Sequence, residues 1–135
     1  MSKWWLFSVA VIIGVLVIAG ENILFSLLTG KPTSFSSDVE PVNALLVAIP
    51  FIILALIGTT KLLPWLVGLA LTLLLWGYAL YSGVSYQRHP DGSGADIGLG
   101  LIIMASPVFI SAIVLAVYAA LRRISGRTRR TAVHT

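Results

Sequence analysis

Hydrophobic residues in this chain come in long unbroken stretches rather than in alternation with polar ones. Four stretches stand out: Trp4 to about Leu28, Val42 to about Thr59, Leu62 to about Tyr81, and Ile97 to about Leu121. Each approaches or exceeds the ~20 residues needed to cross a hydrocarbon layer of ~30 Å. Backbone amides surrounded by lipid must find partners within their own segment, so helices follow. The apolar–polar alternation of a membrane barrel is absent. The pattern predicts an all-α integral membrane protein: a four-helix transmembrane bundle over residues 1–121, then a basic cytoplasmic tail at 122–135.

The breaks between stretches carry turn chemistry. Gly58-Thr59-Thr60-Lys61 separates the second stretch from the third. Gly58 suits a helix C-terminus and Pro64 a first helical turn, so a tight hairpin is expected there. Glu40-Pro41 opens the second helix, with proline at its first position. Pro90-Asp91-Gly92 reads as a turn, and Asp96 as a cap on the exposed amides of the fourth helix. Pro50 and Pro107 fall inside helices, where each removes an amide donor and frees a carbonyl four residues earlier. Kinks are expected at both, with Ser106 a donor available to what Pro107 frees.

Two further patterns bear on packing. Ala48–Ala55 (AIPFIILA) aligns with Ala105–Ala112 (ASPVFISA), and Lys3, Ala10, Gly14 and Ala19 align with Lys61, Gly68, Thr72 and Gly77. This suggests two tandem helical hairpins related by an axis along the membrane normal. Small residues also recur on single helix faces. Ala10 and Gly14 share one with Val17 and Glu21, Ala44, Ala48 and Ala55 make a second, and Gly98, Ala105, Ala112 and Ala119 a third. These seams are expected to hold the bundle together or to join copies of it.

Composition supports the membrane reading. Of 135 residues, 58% are hydrophobic and 10% charged, against about 25% charged in soluble domains. The absence of cysteine excludes disulfides and thiolate metal sites. The net charge of +4 invites nucleic acid as a partner, but the location of the charges argues against it. Lys3, Lys61, Arg122, Arg123, Arg127, Arg129 and Arg130 fall on one side of a four-span topology. Lys31 and Arg88 fall on the other, with Asp38, Glu40, Asp91 and Asp96. That asymmetry predicts a cell-membrane protein with both termini cytoplasmic. Trp4, Trp5 and Trp65 then mark the inner interface, and Trp76, Tyr78 and Tyr81 approach the outer one. The alternative for the first helix is a signal peptide cleaved after Val17-Ile18-Ala19; apolar character resuming at Ile23-Leu24-Phe25 speaks against it.

Candidate chemistry is sparse. Glu21 is the one acid in an apolar run, roughly 24 Å along the helix from Trp5 and thus near the outer boundary. It reads as an interfacial anchor, or, facing inward, as a proton- or cation-binding group partnered by Arg88 or His89. Arg88, His89, Asp91 and Asp96, with Tyr86, make a polar outer loop whose residues each have a local structural role. Asp91-x-Ser93-x-Ala95 fails the calcium-loop pattern, and no metal or other cofactor is expected. Arg122 through Arg130 suits anionic lipid headgroups. Ser106 and Ser111 lack a base on their helix, so no enzyme is expected, and Ser111 is expected to bond a backbone carbonyl. The sequence is read as a non-catalytic membrane component that packs with itself or another membrane complex. The alternative is a small transporter or channel subunit using Glu21 and the outer loop.

Overall fold

The structure, a computed structural model, describes residues 3–31, 39–89 and 97–132. They form helices α1 (Lys3–Thr29), α2 (Val39–Ile57), α3 (Leu62–Arg88) and α4 (Ile97–Ala132), with no strand among the described residues. Three helical segments, Lys3–Thr29, Leu62–Tyr86 and Gly98–Gly126, are long and apolar enough to cross a membrane; the apolar part of α2, Pro41–Ile57, is shorter. The outward surface is itself apolar: Leu27, Leu74 and Val108 are 76%, 72% and 71% exposed. A soluble monomer rarely leaves such a surface uncovered, so the described residues form a helical bundle whose surface suits a membrane.

Helix ends follow backbone chemistry more closely than polarity. α1 stops at Gly30, whose φ of 67° is open to glycine at little cost and whose amide donates to the Ser26 carbonyl at 2.8 Å. α2 closes on a Schellman motif. Gly58, at φ 73°, donates to Ala55 O at 3.0 Å, and Thr59 donates to Leu54 O at 3.3 Å. The expected hairpin at 58–61 is present, with Pro64 in the first turn of α3. α2 begins at Val39, so Pro41 is its third residue rather than its first. An amide is unpaired there in any case, and proline fits equally well.

Two helices outrun the expected spans. α3 continues past Tyr81 to Arg88, because Ser82–Gln87 holds no proline and Val84 is buried. It stops one residue short of the X-Pro step at Pro90, where His89 turns to φ −131°. α4 continues past Leu121 through the basic segment to Ala132. Arginine and alanine are strong helix formers, and cations suit a helix C-terminus.

Inside the bundle α1 and α2 pack most closely. The buried face of α1 is Leu6, Ala10, Gly14 and Ile18, spaced by four. A Cβ at Gly14 would lie 2.5 Å from Ala44 O and 3.0 Å from Ala48 Cβ, so the backbones are nearly in contact. The small-residue faces expected on α1 and α2 therefore meet each other. Gly58 faces Lys3 and Gly83 faces Phe25, which makes α2 antiparallel and α3 parallel to α1. α4 lies against α2 and α3: a Cβ at Gly68 would meet Val114 at 3.1 Å and Phe51 at 3.2 Å. Phe51 stacks on Trp65, with centroids 5.9 Å apart.

The helices form a ring in the order α1–α2–α4–α3; α2 and α3 also touch across the middle, while α1 and α4 do not touch. A two-fold axis along the membrane normal that exchanged the two hairpins would give α1–α4 and α2–α3 equal contact. That axis is therefore absent from the arrangement. Trp76 is buried with Ile18 and Val47, so its indole faces α1 and α2.

Both interior prolines are buried. The carbonyl freed by Pro107 is that of Ile103, and Ser106 Oγ donates to it at 2.7 Å. Ser111 corrects the expectation made for it: its hydroxyl is buried and has no hydrogen-bond partner.

Candidate functional site

One end of the bundle collects the basic residues. Lys3, Lys61, Arg122 and Arg123 are all exposed, and Trp4 and Trp5 flank them at 81% and 58% exposure. Lys61 Nζ donates to Ser125 Oγ at 3.3 Å, and that hydroxyl in turn donates to Leu121 O at 2.9 Å. This bond ties the start of α3 to the helical extension of α4. Trp65 Nε1 donates to Thr59 O at 3.2 Å and braces the turn between α2 and α3. Arg127, Arg129 and Arg130 continue on the α4 backbone.

Toward the far end, Glu21 is half-buried on α1 and has no hydrogen bond or ion pair with another described residue. The Asn22 amide nitrogen beside it is buried without a partner. Arg88 and His89 are exposed at the end of α3. Phe25 and Gly83 mark a common level. Glu21 is four residues below it on α1 and Arg88 five above it on α3, so the two are separated by about 13 Å along the bundle. The structure does not bring them together. Asp91 and Asp96 lie outside the described residues. No group of metal-ligating side chains occurs among the described residues.

The remaining feature is the outward side of α4. Its packed side carries Ser106, Pro107, Ile110, Ser111 and Val114. The expected seam turns away from these: Gly98, Ala112 and Ala119 are exposed and Ala105 is half-exposed. This seam therefore plays no part in holding the chain's own bundle together. Between its members stand Leu101, Val108 and Leu115, exposed at 63%, 71% and 37%. Together they make a heptad repeat, with small residues at one position and branched aliphatic ones three later. Ala116 and Ala120, also exposed, add a four-residue spacing from Ala112. The seven-residue spacing was visible in sequence; its direction and its Leu/Val partners required the structure. The Lys61–Ser125 contact spans 64 residues, and no local pattern signals it.

No family model, curated protein or solved structure matches this chain.

Proposed function

We propose that the protein is a four-pass protein of the cell membrane with both termini cytoplasmic. Its role on this reading is structural: α4 joins the bundle to a second membrane helix, from its own copy or from a larger complex. The heptad face on the outside of α4 carries this reading. Lipid contact imposes no periodicity on a helix surface, whereas a partner helix does. Small side chains at Gly98, Ala105, Ala112 and Ala119 would let another backbone approach closely, with Leu101, Val108 and Leu115 filling the gaps. α2 makes the fourth crossing on this reading. Its 17-residue apolar stretch Pro41–Ile57 lies within the range that spans a bilayer, and it packs antiparallel to α1 from Gly58 upward.

The chain lacks cysteine, so single introduced cysteines test each element. Ala112→Cys should cross-link to a second membrane chain under mild oxidation, and Val114→Cys, on the packed side, should not. Equal yields, or none with a monomeric particle in mild detergent, would remove the assembly role. An impermeant thiol reagent should reach Gly126→Cys only after permeabilisation and Lys31→Cys without it. The reverse would invert the sidedness.

The second reading, a proton- or cation-coupled transporter subunit, draws on the half-buried Glu21 carboxyl alone, which has no partner among the described residues.

A further inference from the structure

Lys61 reaches α4 at Ser125, one helical turn beyond Arg122, so the two basic residues come to the same end of the bundle. The Ser125 hydroxyl accepts from Lys61 Nζ at 3.3 Å and is itself fixed by its bond to Leu121 O at 2.9 Å. Arg122 lies three residues before Ser125, on the adjoining face of the helix, within side-chain reach of the same point. The stretches 3–20, 42–89 and 97–132, which include the described residues of this end, contain no Asp or Glu. Two exposed cations about one helical turn apart attract an anion more strongly than either does alone. Immediately beside Lys61, the exposed side chains are Leu62, Leu63 and Leu66, at 68%, 49% and 50%. The polar-to-apolar boundary of the protein surface thus passes directly through the cation pair.

We propose that the surface where the start of α3 meets the extension of α4 binds an anionic phospholipid. The lipid phosphate sits between Lys61 and Arg122, and its acyl chains run along Leu62, Leu63 and Leu66. The leucines decide for lipid over a soluble anion, which would leave them uncovered. The inference rests on the helices crossing the bilayer and is independent of what α4 meets on its outward side.

Native mass spectrometry of the detergent-purified protein tests it, with phosphatidylglycerol and phosphatidylcholine of matched chains as probes. The parent should retain phosphatidylglycerol in preference. A basic residue near an anionic lipid surface corresponds to about a fivefold change in retention. Lys61→Gln and Arg122→Gln should each lower phosphatidylglycerol retention by about that factor, leaving phosphatidylcholine unchanged. Lys61→Arg keeps the charge and should restore retention to within about twofold. Arg123→Gln removes the same charge from the face turned away from Ser125 and should change retention less than about twofold. Equal losses for Arg122→Gln and Arg123→Gln would reduce the effect to net charge and overturn the site. Equal retention of both lipids by the parent would do the same. Resistance of each variant to alkaline extraction from membranes reports insertion separately. Lost selectivity in a variant that stays embedded therefore supports the lipid site, whereas no selectivity in an embedded parent counts against the site and not against the crossing.

Discussion

Replacing Gly14 by alanine puts the α1–α2 contact under a defined load. The added methyl would sit 2.5 Å from the Ala44 carbonyl oxygen and 3.0 Å from Ala48 Cβ. Ordinary carbon–oxygen contact is about 3.3 Å, so the helices must part by most of an ångström. The obstacle is backbone, and no rotamer relieves it. A radial gap of about 0.5–1 Å forfeits a quarter to a half of each dispersion contact along the seam. Overpacking of this kind costs about 1–3 kcal/mol. Alanine regains up to about 1 kcal/mol through helix propensity, so the net destabilisation expected is about 1–2 kcal/mol. Gly20→Ala supplies the control in the same helix, since nothing lies within 4 Å of its Cβ position; it should be neutral or slightly stabilising. Trp76, buried against Ile18 and Val47, gives a fluorescence signal from this interface during denaturation in mild detergent. A Gly14→Ala midpoint that matches Gly20→Ala within about 0.5 kcal/mol would refute the close backbone approach.

Ser106→Ala should cost about 0.5–1.5 kcal/mol by stranding the Ile103 carbonyl. The cost should vanish in a Pro107→Ala background, where the restored amide makes that bond; a double-mutant cycle by detergent denaturation measures this. Gly58→Ala should destabilise the hairpin by about 1 kcal/mol, because φ 73° is unfavourable for a residue with Cβ. Gly58→Asn, measured in the same titration, should cost less. Glu21→Gln should leave cross-linking through Ala112→Cys unchanged, since α1 and α4 do not touch. In proteoliposomes the same substitution abolishes any proton- or cation-coupled flux if the transporter reading holds.

The hairpin at Gly58, the Ser106–Pro107 arrangement and the small-residue faces of Gly14 and of Ala44 and Ala48 were legible in the sequence, because each depends on local backbone rules or on side-chain size; that these two faces meet each other was not. The end of α3 was not. Polarity rises after Tyr81, but only Pro90 stops the backbone. The direction of the α4 seam and the burial of Trp76 were illegible for a deeper reason. In lipid both faces of a helix are apolar, so hydrophobic periodicity no longer marks the inside. The ring order also lay out of reach, since short connections constrain neighbours along the chain but leave the placement of α4 open. Of the proposed polar outer site, the sequence placed Glu21 and Arg88 on one side; helix lengths then separated them.

The stack of Phe51 on Trp65 bears on permeation. With α2 and α3 touching across the middle, and Thr59 and Pro64 buried at the foot of their turn, the described helices of one chain meet each other rather than surround a central opening. Helix rotation alone would not create one, because the four-residue turn Gly58–Lys61 keeps these two helices together. On the transporter reading, the path proposed for an ion is a seam between chains, and conductance would then scale with assembly rather than with the amount of protein.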